Sequence, residues 1–241
     1  MTAINAIALG ARGRLITDTA AYDRHGVVTA FVNKTVVVPH LGMVFATRGA
    51  LATRRTLSEE LEAFASFDAV IAEGGEVLRE AYQAGAFAFA GAWEDNFDLI
   101  MVGWSPSRRQ AEAYTLSSLS HGGSTPFAFR QLSLILAPDL DDSAMRRIGL
   151  KVGRSFDTSR PAHTLLEAIE LQRRTPGPVG SGSAAETAYV VGGAAVLTEV
   201  SEAGIAQRIV KRWPDEVGRR IEPEGAGPLP QRSPPQLRIV A

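Results

Sequence analysis

The sequence predicts a layered α+β domain built on antiparallel sheets. Three observations carry that prediction. The first fifty residues alternate short β-rich runs with turn residues, a helical period sets in near Leu57, and strand patterns return after Gly91.

Taken in order, residues 3–9 form an apolar strand interrupted by the polar Asn5. Gly10-Ala11-Arg12-Gly13 supplies turn chemistry, and residues 14–18 resume a strand that ends at Asp18. After a loop at Arg24-His25-Gly26, residues 27–31 and 35–38 read as strands, the second ended by Pro39. Residues 43–47 form another, closed by Gly49. Residues 58–72, with Leu57 just before them, then place Leu57, Leu61, Phe64, Ala65 and Val70 near helical spacing, with Thr56 or Ser58 as cap and Glu59 and Glu60 in the first turn. A second helix is expected over 75–83. Residues 99–104 and 111–116 flank a hairpin loop at Ser105-Pro106-Ser107-Arg108-Arg109. Helices follow at 142–152 and 162–173, then a loop over 176–183. A last strand pair, 187–191 and 195–200, surrounds Gly192-Gly193. Residues 223–235 hold five prolines and two glycines and are expected to lack packed structure. The domain is therefore drawn at 2–221, with a Pro-rich tail over 222–241.

Composition narrows the chemistry. The chain has 241 residues, 45% apolar and 21% charged, with a formal net charge of −1, which suits one sizeable domain and gives no basic footprint for nucleic acid. It has no cysteine, which excludes disulfides, a thiol nucleophile and thiolate metal sites. The four histidines, at 25, 40, 121 and 163, never fall at i, i+4 spacing. No run approaches the ~18 apolar residues of a membrane helix, and the opening residues do not resemble a secretory signal. A cytoplasmic protein without cofactor or metal is expected.

The residues richest in chemistry are Thr2, Asp18 and Lys34, spaced sixteen apart. On this strand layout Thr2 begins the first strand, Asp18 ends the second, and Lys34 opens the fourth. A threonine hydroxyl is a weak nucleophile and needs a base. A threonine exposed by removal of Met1 carries one, because an α-amino group has a pKa of about 7.7–8.0. A nearby lysine disfavours protonation of that amine, an aspartate orients the lysine, and a glycine N–H such as that of Gly49 can hold an oxyanion. Read one at a time, Asp18 is a turn cap, Lys34 a solvated edge charge and Gly49 a turn glycine. The ordered set is what points to a site.

This ordered set, with Ile16-Thr17-Asp18, Asn33-Lys34 and Phe45-Ala46-Thr47-Arg48-Gly49, resembles the proteasome β-subunit superfamily, most closely its bacterial HslV-type peptidases. The likeness covers residues 2–125 well and the rest loosely. It implies a four-layer αββα sandwich, two antiparallel sheets flanked by helices. It implies a threonine-type endopeptidase acting on peptide or unfolded-protein substrates, with Thr2, Asp18, Lys34 and Gly49 as catalytic residues. Ala21, Val32, Ala46 and Ala50 would line a roomy apolar specificity pocket. It further implies a ring-like homo-oligomer and, as in some members, an unfolding ATPase partner, with no nucleic acid and no membrane. Where the family carries a supporting serine, this chain reads Leu119-Ser120-His121-Gly122-Gly123-Ser124, with His121 at the serine's place and Ser120 and Ser124 as candidates. The supporting aspartate has only Ser181, Ser183 and Glu186 nearby. Those departures keep two other readings open: an inactive assembly subunit, and a small-amide amidohydrolase on the same fold.

Overall fold

The computed structural model describes residues 2–89, 96–120, 125–150, 159–179 and 186–227. In chain order the strands are β1 (Ile4–Leu9), β2 (Arg12–Asp18), β3 (Ala20–Tyr22), β4 (Val28–Phe31), β5 (Val36–Val38) and β6 (Met43–Arg48). Helices α1 (Thr53–Glu62) and α2 (Phe67–Gln83) precede β7 (Asp98–Ser105), β8 (Gln110–Ser117), β9 (Arg130–Gln131) and β10 (Leu134–Ala137). Helices α3 (Asp142–Arg147) and α4 (Pro161–Arg173) lead to β11 (Gly177–Val179), β12 (Glu186–Ala188), β13 (Ala194–Ser201) and β14 (Gly204–Arg212). The result is α+β, with several antiparallel sheets and few helices. Among the described residues no helix is long and apolar enough to cross a membrane.

Two five-stranded sheets dominate, one ordered β10-β1-β2-β13-β14 and the other β5-β6-β7-β8-β9. Their inner strands β1, β2, β13, β6, β7 and β8 are largely apolar on both faces because both faces are covered. Ile4, Ala6 and Leu15 of the first sheet join Val44, Ala46, Ile100 and Val102 of the second in one buried cluster. On the opposite face of the first sheet, Ile7, Ile16 and Leu197 meet Leu165 and Ile169 of α4. On the opposite face of the second, Phe45, Leu99 and Met101 meet Leu57 and Leu61 of α1 and Phe67, Val70 and Leu78 of α2. Each of the Val, Leu, Ile, Phe and Met side chains among these contributes about 1.5–3 kcal/mol by leaving water.

Glycine lets these layers approach. A Cβ on Gly13 of β2 would fall 2.3 Å from Val102 Cγ1 of β7, so the two sheets touch where that side chain is missing. One residue on, Gly103 admits the Phe67 ring of α2 to the other face, where a Cβ would lie 2.3 Å from Cε2.

Several expected elements change. The helical period over 58–72 belongs to two helices rather than one. Ser66 breaks it, with extended backbone and an Oγ that accepts from Ala69 N at 3.1 Å to cap α2. Neither Thr56 nor Ser58 is a cap. Helix α2 also runs straight through Gly74-Gly75 instead of beginning there; Gly75 marks a close approach, with the Phe127 carbonyl 2.3 Å from where a Cβ would stand. The helix expected over 142–152 stops at Arg147, followed by Gly149 at φ 75°; residues 151 and 152 lie outside the described residues. The strand expected over 187–191 is the shorter β12, and β11 lies within the expected loop. Strands β3, β9, β10 and β14 have no counterpart among the expected elements; β14 is an exposed edge strand with only Ile205 and Val210 half-buried, so it shows no apolar alternation. The opening of the Pro-rich segment is packed: Pro223 is buried, and Tyr189 Oη donates to the Gly227 carbonyl at 2.6 Å.

Gly13→Ala is expected to lower stability by about 1–3 kcal/mol through overpacking between the sheets. The shift in the urea unfolding midpoint measures this, and an unchanged midpoint would mean the sheets separate freely there.

Candidate active site

The hairpin β1–β2 places Ile4 opposite Thr17, so the chain just before β1 lies beside Asp18. Asp18 is completely buried. Its Oδ1 accepts from the Ala3 N–H at 3.2 Å and from Lys34 Nζ at 2.7 Å. Its Oδ2 accepts from Ala20 N and Gly192 N, each at 3.2 Å. The Ala3 N–H belongs to the peptide bond that joins Thr2 to Ala3. Asp18 therefore ties the half-buried Thr2 and the Lys34 ammonium to one carboxylate oxygen.

Lys34 stands in the connection from β4 to β5, just ahead of the strand it was expected to open. It is 5% exposed, which removes the solvated-edge reading. Three contacts fold that connection over Asp18. Val32 N donates to Thr19 O at 2.8 Å, Thr35 N to Asn33 Oδ1 at 3.1 Å, and the Thr17 and Thr35 hydroxyls lie 3.3 Å apart. Burial pushes the Lys34 ammonium below the ordinary lysine value. The Asp18 charge and hydrogen bond oppose that fall, and the Arg54 charge adds to it.

Gly192 is held by a second buried pair. Arg173 and Asp215 meet at 2.8 Å with side chains 4% and 5% exposed. Asp215 Oδ2 accepts from Gly193 N at 2.7 Å, and Arg173 Nη1 donates to the Val191 carbonyl at 2.8 Å. The guanidinium lies 4.9 Å over the Trp213 ring. Gly193 has φ 76°, and a Cβ there would meet Thr19 Oγ1 at 2.4 Å. Gly192-Gly193, expected only as the junction of the last strand pair, thus contacts Asp18 as well. The paired glycines between strands were the available signal.

The other predicted residues are placed as follows. Gly49 is exposed, at φ 121°, and a Cβ would lie 2.6 Å from the Asn96 carbonyl, so the position requires glycine. Ala50 follows it, half-buried, on the loop into α1. Ala21 sits half-buried in the β3–β4 hairpin opposite Ala30. Val32 is half-buried and lines a cleft of about 380 Å³ together with Thr19, Phe31, Asn33 and Gln207. Ala46 is fully enclosed in the core between the large sheets. Of the supporting candidates, Ser120 is exposed, and His121, Ser124, Ser181 and Ser183 lie outside the described residues, as does Met1. Glu186 is engaged elsewhere, by His25 Nδ1 at 3.2 Å and Arg220 Nη2 at 2.9 Å.

No family model and no curated protein matches the chain. Among solved structures it shares its fold with the Gly-1 mutant of Anbu from Hyphomicrobium sp. strain MC1. The TM-score is 0.61 at 16% identity, over 90% of this chain and 89% of that one. Anbu is a proteasome-like subunit of the N-terminal-nucleophile-hydrolase type. At that identity the likeness establishes the fold, and the site must be argued from its own residues.

Removing one member of a buried ion pair leaves a desolvated charge, at about 3–5 kcal/mol. Asp18→Asn is expected to lose stability on that scale, and Asp18→Asn combined with Lys34→Met to lose less than Asp18→Asn alone. Urea unfolding of the two single variants and the double variant checks this; additive losses would mean the two groups are not coupled.

Proposed function

We propose that the chain is a threonine-type amide hydrolase, with Thr2 as nucleophile once Met1 is removed. The observation that supports this best is the shared carboxylate oxygen of Asp18, which receives both the Thr2–Ala3 amide and the Lys34 ammonium. On this reading Thr2 Oγ attacks the substrate carbonyl and its proton passes to the Thr2 α-amino group. Lys34 disfavours protonation of the amine and hydroxyl, Asp18 orients Lys34, and the Gly49 N–H holds the oxyanion. Collapse expels the amine half of the substrate, which takes up the proton, and leaves an ester on Thr2 that water hydrolyses.

The finer features belong to the same proposal. The helix-covered outer faces of the two large sheets suit a four-layer αββα sandwich. The likeness to Anbu suits a homo-oligomer, with a ring as the form the family resemblance implies, HslV-type closeness included. Peptide or unfolded-protein substrates, an unfolding ATPase partner, a cytoplasmic location and a pocket walled by Ala21, Val32 and Ala50 follow from that resemblance; Ala46, enclosed between the sheets, is not part of that wall.

One observation favours an inactive assembly subunit instead. Glu186, a candidate for the supporting acid, is already paired with His25 and Arg220. Intact mass before and after treatment with a peptide epoxyketone, with Thr2→Ala as control, separates the two. The hydrolase should lack the Met1 mass and gain one adduct that the variant does not. Retained Met1 with no adduct would sink the catalytic reading.

A further inference from the structure

We infer that Arg54 makes this site selective for substrates with a carboxylate side chain at the residue whose carbonyl is attacked. The inference rests on the proposed function and names its substrate class.

Arg54 is anomalous among the described arginines. The others that are not exposed each face a carboxylate: Arg14 faces Glu199 at 2.9 Å, Arg48 faces Asp98 at 3.6 Å and Arg173 faces Asp215 at 2.8 Å. Arg54 is half-buried, its pKa lowered by that burial, and it has no such partner among the described residues. Among the described residues its one hydrogen bond runs from Nη1 to the Asn33 carbonyl at 2.5 Å, and its Nε, like that of Arg48, is shut away from water unpaired. A desolvated guanidinium without an anion is costly, because its planar fork suits a carboxylate. The neighbouring Thr53 is fully buried and its Oγ1 also lacks a partner.

The surroundings add positive potential. Helix α1 opens Thr53-Arg54-Arg55 with no acid in its first turn, so nothing offsets the positive end of the helix. Arg55 is spent on Glu59 at 2.8 Å. Lys34 lies next in the chain to the Asn33 carbonyl that Arg54 grips, and the carboxylate it pairs with, Asp18, already accepts from three other groups. The region thus carries two cations and a helix N-terminus against one saturated anion.

Position ties this charge to the substrate. Arg54 follows Gly49 and Ala50 on the same turn, with Thr53 N donating to the Ala50 carbonyl at 3.1 Å and Arg54 N to the Leu51 carbonyl at 3.4 Å. The segment that offers the oxyanion N–H therefore also carries the orphan guanidinium. A substrate aspartate or glutamate supplies the anion that the half-buried guanidinium lacks among the described residues, so the pocket expected to be apolar is charged at its α1 end.

The test uses two peptide epoxyketones that differ only in the last side chain, aspartate or leucine, with the rate of adduct formation read by intact mass. The aspartyl probe should label the wild type at least about tenfold faster, the worth of a charge-assisted hydrogen bond. Arg54→Gln should abolish that ratio, and Arg54→Lys should keep part of it. Equal wild-type rates, or a Gln variant that slows both probes alike, would overturn the inference and leave Arg54 as a brace for Asn33. A second readout needs no chemistry: Thr2→Ala is titrated with acetylated tripeptide amides ending in aspartate or leucine. Preferential binding of the aspartyl peptide without any wild-type labelling would reject the hydrolase and keep the acid site. Labelling without acid preference would do the reverse.

Discussion

A single buried carboxylate organises this molecule. Asp18 has no exposure to water, yet a bare ion there would be prohibitively costly. It is accommodated because four donors converge on it, from Ala3, Ala20, Lys34 and Gly192. Those donors come from the start of the chain, the β2–β3 junction, the β4–β5 connection and the turn before β13. Four separate stretches are therefore fixed relative to one another by one side chain. A buried ion pair is a poor way to gain stability compared with apolar packing. Its value here is placement, since it brings a lysine of depressed pKa beside the peptide bond of Thr2.

The scaffold serves that placement. β1 and β2 are central in their sheet, covered on one face by the second sheet and on the other by α4. A hairpin clamped on both faces cannot slip register without burying the wrong side chains, so the ends of β1 and β2 are rigid points. The Arg173–Asp215 pair does the same for Gly192, by gripping the adjacent Val191 carbonyl and Gly193 amide.

Much of this was legible in the sequence, and the reasons it was not legible elsewhere are physical. Asp18 and Lys34 could be read because Asp18 ends the local β1–β2 hairpin and Lys34 lies only sixteen residues further on, where sequence spacing translates into spatial proximity. Gly192 could not, since its contact with Asp18 spans 174 residues and depends on sheet order rather than on local periodicity. The break between α1 and α2 was hidden because Phe64 and Phe67 keep an apolar rhythm across it, while Ser66 caps the new helix from within that rhythm. β14 was hidden because an edge strand exposed on both faces carries no alternation. Small residues at 21, 46 and 50 suggested an apolar pocket. That pattern overlooks Arg54, one helical turn beyond Ala50, which faces no carboxylate among the described residues, a feature of three-dimensional packing that local sequence does not carry.

The most direct measurement is the rate of epoxyketone labelling of Thr2 in Lys34→Met, with the fold checked by circular dichroism. If the Asp18-bound lysine activates Thr2, labelling should slow by about 10²–10⁴-fold, the usual worth of a positioned acid–base group. Labelling of the variant at the wild-type rate would contradict any role for Lys34 in the chemistry and would reduce the Asp18–Lys34 pair to a structural pin.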